Sequence, residues 1–200
     1  MFFRKKKDLI QVLLDRNVEY VKRSQAALDI SVKKEAKYLD PLIQALKDDP
    51  EPSVRMNAAF ALGELRMKGA FQPLITALKE DGSEWVRGFA ASALANLDFN
   101  HMEVEEIIIK MLDKDRDPGA RRHYAHSLGL IGTSEKAGPL LMSILENELD
   151  SGVRADAAEA LGILGYSPAK KSIENASKND INADVRRQAN IALRKLSLDD

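Results

Sequence analysis

The residues best suited to chemistry are histidine, arginine and acidic side chains in two neighbouring segments. Arg122, His123 and His126 lie close together, and Asp156 and Glu159 follow the two histidines at a spacing of 33 residues. Imidazole and carboxylate groups bind metals and transfer protons. Two histidines three residues apart are a weak metal motif, so the same residues also fit a solvated face of complementary charge. We therefore expect no metal, no cofactor and no catalytic residue here.

A second charged pattern recurs through most of the chain. Arginine stands at five regularly spaced positions, and an acidic residue precedes each one by six residues. A guanidinium fork binds phosphate or carboxylate, so the row could bind anions. Because the arginine recurs in every copy, we favour a structural ladder in which it pairs with an acid of the same or the adjacent repeat. The arginines are Arg55, Arg87, Arg121, Arg154 and Arg186, and the acids are Asp49, Asp81, Asp115, Glu148 and Asp180.

The same recurrence predicts the elements that position these residues. A Val-Arg or Ala-Arg pair begins at residues 54, 86, 120, 153 and 185, with apolar or aromatic residues at offsets 4, 8 and 11. These offsets lie on one side of an α-helix. N-cap residue types stand three positions upstream of most pairs, and a shorter apolar segment precedes each cap. Each repeat is therefore predicted to be a pair of helices.

A single helix pair cannot bury its apolar stripe, so the pairs are predicted to stack into an all-α solenoid. Small residues beside the stripe, including Gly63, Gly129 and Gly162, would let neighbouring helices approach closely. Gly132 and Gly165 follow the stripe and suit a left-handed residue that closes a helix.

The two ends of the chain differ from the middle. Residues 1–38 carry ten Lys or Arg against five Asp or Glu. They form either a degenerate capping repeat, with its register set by Asp15 and Val18, or a partly mobile basic arm. Asn190 and Arg194 place polar groups where other repeats have small ones, which indicates a C-terminal cap. We divide the solenoid, residues 39–200, into repeats of about 39–68, 69–100, 101–135, 136–168 and 169–200.

The apolar stripe of residues 1–38 would comprise five side chains. They are Leu9, Val12, Leu13, Val18 and Val21.

The repeat pattern resembles a known family. Asp-x-x-x-x-Val-Arg-x-x-Ala-Ala-x-Ala-Leu-Gly-x-Leu is nearly intact at residues 49–65 and 148–164, and it is similar to the short HEAT-like repeat of phycobilin lyase subunits. The resemblance covers residues 39–197 and implies an alpha-alpha superhelix. Bilin lyases, iron hydroxylases and adaptors share this repeat, so it implies no single activity. The hydroxylases carry His-Glu dipeptides, and this sequence has none.

Functional residues are expected where the repeats differ, on the open side of each second helix. If the fold resembles other HEAT-like solenoids, offsets 2, 3, 6 and 10 line the concave surface. Met56, Phe60, Trp85 and Phe89 form an apolar group there, which is either a partner site or a surface that other residues cover. The predicted partner-binding residues are Met56, Phe60, Trp85, Phe89, Arg122, His123, His126, Asp156, Glu159 and Arg187.

Composition excludes several classes of function. The 30 basic and 31 acidic residues nearly cancel, which disfavours general or sequence-specific nucleic-acid binding. The absence of cysteine excludes disulfides and thiolate metal sites, and it is compatible with a reducing cytoplasm. Apolar runs are too short for a membrane span. The basic run at residues 4–7 could touch anionic lipid, but a solvated tail is the simpler interpretation.

Two functions fit these observations. The first is a non-catalytic, monomeric scaffold or adaptor that binds another protein on its concave face, in the cytoplasm. The alternative, which the resemblance implies, is a bilin lyase-type subunit that handles a tetrapyrrole on a phycobiliprotein. In that case the aromatic group would cover the bilin rings, while Arg122 and His123 or His126 would meet the propionates.

Overall fold

The computed structural model describes residues 8–97 and 99–197. Within these ranges the regular secondary structure is entirely helical. The chain divides into two compact units, residues 1–98 and 99–200. The all-α helix-pair architecture predicted from the sequence is confirmed. In unit 1 the helices are α1 (Leu9–Leu14), α2 (Tyr20–Lys33), α3 (Leu39–Asp48), α4 (Pro52–Leu65), α5 (Phe71–Glu80) and α6 (Glu84–Asn96). In unit 2 they are α7 (His101–Lys114), α8 (Pro118–Ile131), α9 (Ala137–Asn147), α10 (Ser151–Leu164), α11 (Lys170–Asn179) and α12 (Ala183–Leu196).

Odd-numbered helices are the first members of the pairs and even-numbered helices the second. Short 3-10 turns lead into three of the first helices, at Ala36–Tyr38, Lys68–Ala70 and Ser167–Ala169. Within unit 1, α4 packs between α2 and α6, while α3 and α5 cover α4 and α6 respectively. Within unit 2, α10 packs between α8 and α12 in the same way. The core of each unit therefore runs along its stacked second helices.

The predicted apolar stripe forms this core. Val54, Ala58 and Leu62 lie at successive turns of α4 and are fully buried. Their spacing places them on one side of the helix, against its neighbours. Truncating a buried leucine to alanine removes packing and leaves a cavity, which usually costs about 2–5 kcal/mol. The stripe is thus the main source of stability for each pair.

The predicted helix starts are observed. Asp117, Asp150 and Asn182 accept backbone N–H groups of the first turns of α8, α10 and α12 through their side-chain oxygens. Glu51 and Ser83 occupy the equivalent cap positions of α4 and α6 without such a side-chain bond. The side-chain caps satisfy amide groups that have no partner inside the helix.

Glycine allows the second helices to pack closely. A Cβ on Gly63 would lie 2.8 Å from the Cα of Ala93, and a Cβ on Gly162 would lie 2.7 Å from the Cα of Ala192. Both distances are shorter than van der Waals contact with a rigid backbone allows. The predicted close approach at these small residues is confirmed in both units.

Gly132 does not take the predicted left-handed conformation, whereas Gly165 does, with φ 67°. Gly132 has φ −70° and ψ 160°. A Cβ there would lie 2.4 Å from the carbonyl oxygen of Leu128 and 2.5 Å from the Cβ of Ala137. Glycine is therefore needed at residue 132 for close packing and not for its φ angle.

The first 38 residues contain a helix pair, but its register differs from the predicted one. Helix α2 begins after Glu19, which is 32 residues before Glu51, the cap of α4. Val18 precedes this helix, and Val21 is 59% exposed, so the predicted stripe through both residues is wrong. Ala26, Ala27 and Ile30 form the buried face of α2 instead. The predicted register assumed a valine at the position equivalent to Val54. That position is occupied by Lys22, 32 residues before Val54.

Candidate protein-binding face

The arginine row joins successive repeats. Arg55 on α4 donates from Nε and Nη2 to the two carboxylate oxygens of Asp81 at 2.8 and 2.9 Å. Its Nη1 donates to the carbonyl oxygens of Asp49 and Pro50 at 2.8 and 3.1 Å. One guanidinium therefore clamps its own loop and the loop of the next repeat. The paired, planar geometry is the strongest that arginine and carboxylate form.

Equivalent bidentate pairs occur in both units. Arg154 holds Asp180 at 2.9 and 3.0 Å, and Arg121 bonds the carboxylate of Glu148. The hydrogen bond from Arg154 lowers the pKa of Asp180, against the opposing effect of burial. Arg87 donates to the carbonyl oxygen of Asp81 at 2.9 Å. These contacts support a structural role for the row.

The ladder begins one repeat earlier than the sequence pattern indicated. Arg23 on α2 holds both carboxylate oxygens of Asp49 at 2.9 Å, and this pair is buried. Burial is the largest single influence on the pKa of Asp49 and acts to raise it, but the hydrogen bonds from Arg23 and from the backbone N–H of Glu51, together with the charges of Arg23 and Arg16, outweigh burial and lower the pKa. Arg23 lies 32 residues before Arg55, so the repeat step would have identified it.

The second helices of unit 1 carry an apolar surface, which we call the unit 1 apolar face. Phe60 on α4 meets Phe89 on α6 edge to face, with ring centroids 6.4 Å apart. Leu28, Val32 and Phe60 line a groove of about 520 Å³ between α2 and α4. Met56 on α4 and Trp85 on α6 stand at helical positions on the same side as these residues, and they complete the face. Its members are Leu28, Val32, Met56, Phe60, Trp85 and Phe89.

Exposure distinguishes this face from a buried core. Val32 is 81% exposed and Trp85 is 52% exposed, whereas Phe60 lies at 36%. All the large hydrophobic side chains that are exposed in the described part of unit 1 lie on its second helices: Tyr20, Val21, Val32, Phe60 and Trp85. Apolar side chains concentrated on one side of a structure are typical of protein-binding surfaces.

Some positions expected to point outwards are buried. Asn57 is 8% exposed, because its Nδ2 donates to the Oγ of Ser24 at 2.7 Å across the α2–α4 contact. Gly88 on α6 is also buried. The open strips of α4 and α6 are consequently narrower than the helical period alone predicts. Leu28 and Val32, which the sequence analysis missed, stand 32 residues before Phe60 and Glu64.

The second helices of unit 2 present ionic pairs instead, and we call them the unit 2 charged face. Arg122 on α8 donates from Nε to Asp156 on α10 at 2.7 Å, and His126 Nδ1 lies 3.7 Å from Glu159. Arg187 on α12 pairs with Asp184 at 3.2 Å. This face comprises Arg122, His123, His126, Asp156, Glu159 and Arg187.

His123 has a lowered pKa because its imidazole is partly buried. Desolvation lowers the pKa of His123, and the negative charge of Asp156 opposes this only in part. Within the described ranges, no group of three or more His, Cys, Asp or Glu side chains is arranged to hold a metal ion. The contacts on this face are the Arg122–Asp156 ion pair and the approach of His126 to Glu159 between α8 and α10, and the Arg187–Asp184 ion pair within α12.

Two further clefts lie between first helices, and they occupy the same repeat position. A cleft of about 760 Å³ separates α3 from α5, and one of about 400 Å³ separates α9 from α11. Ladder residues line both clefts, Arg55 and Asp81 in the first and Arg154 and Asp180 in the second. Because these side chains already pair with each other, the clefts follow from the spacing of the helix pairs and offer no distinctive chemistry.

Two further predictions concern the basic run near the N-terminus and the possibility of a membrane span. The basic run at residues 4–7 lies outside the described residues. No helix among residues 8–97 and 99–197 combines the length and apolar character that a membrane crossing requires.

The comparisons with known proteins agree with this architecture. The model of HEAT repeats matches residues 6–95, 71–162 and 106–194. No curated protein sequence is significantly similar to this chain. The chain belongs to the HEAT-repeat family.

Several solved structures share the fold. The complex of CpcE and CpcF of phycocyanin lyase from a Nostoc species contains a chain that is 26% identical, with a TM-score of 0.69, and the match covers 94% of this chain and 77% of that one. The Escherichia coli protein YibA is 24% identical, with a TM-score of 0.73, over 96% of this chain and 72% of that one. Human deoxyhypusine hydroxylase is 19% identical, with a TM-score of 0.52, over 95% and 83% of the two chains. The predicted resemblance to the phycobilin lyase type of HEAT-like repeat is confirmed.

Proposed function

We propose that this protein is a non-catalytic scaffold or adaptor that binds another protein through the unit 1 apolar face. The observation that carries the proposal is the position of the exposed large hydrophobic side chains in the described part of unit 1, all of which lie on second helices. Desolvating such side chains supplies most of the binding energy at protein interfaces. The cytoplasmic location expected from the sequence belongs to the same proposal.

The electrostatics of the unit 1 apolar face favour a partner with an apolar surface. The six side chains of the face carry no charge, and the charged side chains that line the groove beside it have partners of their own: Glu64 pairs with Lys34 at 3.2 Å, and Asp29 accepts from Gln25 at 2.9 Å. A partner would therefore cover mainly uncharged surface and incur little cost for stripping water from ions. Binding should accordingly depend weakly on salt concentration.

The test compares two double variants at equivalent repeat positions. Val32→Ser with Phe60→Ser removes apolar groups from unit 1 at offsets 10 and 6. Leu130→Ser with Ile191→Ser makes the same change at the same offsets in unit 2, where both side chains are exposed. We expect the first variant to capture at least about tenfold less partner than wild type, equivalent to roughly 1.4 kcal/mol, and the second to match wild type.

The only tryptophan provides an independent readout. Trp85 lies on the face and is half exposed, so a bound partner should exclude water from the indole and shift its emission to shorter wavelength. Circular dichroism and urea unfolding establish that each variant is folded. Equal capture by the two double variants, or an unchanged Trp85 spectrum on saturation with the captured partner, would refute the proposal.

A tetrapyrrole-handling role is the second candidate, and the likeness to phycocyanin lyase favours it. In this case the bilin rings would lie on the unit 1 apolar face, where Phe60 and Phe89 already form an aromatic pair. Titrating the protein with a bilin should then shift the visible absorbance band of the pigment. A spectrum that stays unchanged at about 50 μM protein, roughly the range of a weak specific site, would eliminate this function.

A further inference from the structure

The last arginine of the ladder is anchored in the same way as its predecessors. Arg186 on α12 donates from Nη1 to the carbonyl oxygens of Asp180 and Ile181 at 2.7 and 3.0 Å. Arg154 makes the same two contacts one repeat earlier, to Glu148 and Leu149, both at 2.9 Å. The loop carbonyls therefore orient the two guanidinium groups alike.

The other edge of the Arg186 fork is open. In Arg154 this edge, Nε and Nη2, holds the carboxylate of Asp180, and in Arg55 it holds Asp81. Within residues 8–97 and 99–197, these two nitrogens of Arg186 have no hydrogen-bond partner. Arg186 thus keeps the carboxylate-binding geometry of the ladder without a carboxylate.

The surroundings of Arg186 add positive charge and restrict what can approach. Asn190 and Arg194 follow it along one ridge of α12, at spacings of four residues, and both are exposed. Arg194 occupies the position of Gly162, where a Cβ would already contact the next helix at 2.7 Å. A helix pair could not approach α12 as closely as α12 approaches α10. A slender loop or peptide has no such restriction.

We propose that the ridge of α12 formed by half-buried Arg186 and exposed Asn190 and Arg194 binds an aspartate or glutamate in an acidic segment of a partner protein. The carboxylate accepts from Nε and Nη2 of Arg186, as Asp180 does from Arg154. Arg194, whose side chain is exposed about two turns further along the ridge, attracts the remaining negative charge of the segment. This site is separate from the unit 1 apolar face and does not depend on it.

The probe is a peptide copied from a loop of this protein whose aspartate is bound by a ladder arginine. The capped peptide Leu-Lys-Glu-Asp-Gly-Ser-Glu has the sequence of residues 78–84, in which Asp81 is the acid held by Arg55. The arginine Nε–H signals of the isotope-labelled full chain are followed by NMR, and Arg186→Lys identifies the Arg186 signal. We expect a saturable shift of that signal, with at least about fivefold weaker binding when the central Asp is replaced by Asn.

Three variants of the full chain complete the test. Arg186→Lys preserves the charge but removes the fork, and it should weaken peptide binding at least about fivefold, measured on the backbone amide signals of α12 because the Arg186 Nε–H is absent. Arg194→Gln leaves the Arg186 anchors intact and should weaken binding about twofold, so it tests the site even if Arg186→Lys is unstable. Lys47→Gln removes an exposed positive charge from α3 and should change nothing.

Several results would overturn the assignment. The first is a shift that does not saturate by about 10 mM peptide, which is the limit for a specific weak site. The second is equal binding of the Asp and Asn peptides. The third is a changed Arg186 signal in the peptide-free double variant Asp199→Asn and Asp200→Asn, which would show that the chain's own carboxylates occupy the fork.

Discussion

The two units use one scaffold to display two different surfaces. In unit 1 and unit 2 alike, arginine forks join successive repeats and a glycine brings second helices together. The second helices of unit 1 then expose Val32, Phe60 and Trp85, whereas those of unit 2 pair Arg122 with Asp156. Among the described residues of unit 2, only two of the five exposed large hydrophobic side chains lie on second helices, Leu130 and Ile191. Residues that repeat therefore maintain the fold, and residues that differ determine what each unit can bind.

The ladder is where the two units should behave alike. Arg55→Ala and Arg154→Ala each leave a nearly buried carboxylate without its partner, so each should lower the free energy of unfolding by about 2–3 kcal/mol. Urea unfolding measures both, with Trp85 emission reporting on unit 1 and circular dichroism on the whole chain. Arg122→Ala removes an arginine that is 53% exposed and should cost under about 1 kcal/mol. A loss in only one unit would show that the ladders are not equivalent.

The glycine contacts should also be equivalent, with a smaller effect. Gly63→Ala and Gly162→Ala place a methyl group against the backbone of the next helix, which should destabilise each protein by about 1–3 kcal/mol. Gly82→Ala is the matched control, since a Cβ there meets nothing within 4 Å. Thermal unfolding of the three variants gives the comparison. If the control lost as much stability as the others, close packing would not be the cause.

The smallest expected effect is a pH dependence near neutral pH that arises from His123 of unit 2, since the three histidines of the chain all lie in that unit. Burial lowers the pKa of His123, so the folded protein binds a proton there less readily than the unfolded chain does. The contribution to stability is complete above the ordinary histidine pKa, near 6.5, and it is lost as the pH falls through the lower pKa of the folded state. NMR titration of the imidazole should show His123 titrating below its ordinary pKa.

The matched control for this titration is a variant without the buried imidazole. His123→Gln should remove part of the acid destabilisation of the protein, as measured by urea unfolding at pH 7 and at pH 5. A variant that loses stability with acid as steeply as wild type would contradict the role given to burial.

The sequence was most informative where one physical requirement repeats. Helical period and the recurring Val-Arg pair predicted the second helices, because burial on one side of a helix demands a spacing of three to four residues. Arg23, Leu28 and Val32 also lie one repeat step of 32 residues before their equivalents in the next repeat. They were not predicted because Lys22 stands where the other repeats have valine or alanine. The unit 1 apolar face was therefore predicted in part, through Met56, Phe60, Trp85 and Phe89.

Contacts between repeats depended on the tertiary structure. The sequence placed an acid six residues before each arginine, but only folding showed that Arg55 takes its carboxylate from the next repeat and its carbonyl partners from its own. Asn57 lies on an outward helical position and is nevertheless buried, because α2 packs over that side. The glycine at residue 132 is required because a Cβ would collide with the carbonyl oxygen of Leu128 at the end of α8 and with Ala137 of α9, and not because of its φ angle.

The amino-acid sequence by itself determined the all-α helix pairs, their caps and the residues that recur, since these follow from interactions between residues a few positions apart. The tertiary structure alone decided which carboxylate each arginine holds, which outward positions stay exposed and which fork is left open at the end of α12. Those features depend on how neighbouring repeats are placed against each other, and residues some 26–34 positions apart meet only after the helices have packed.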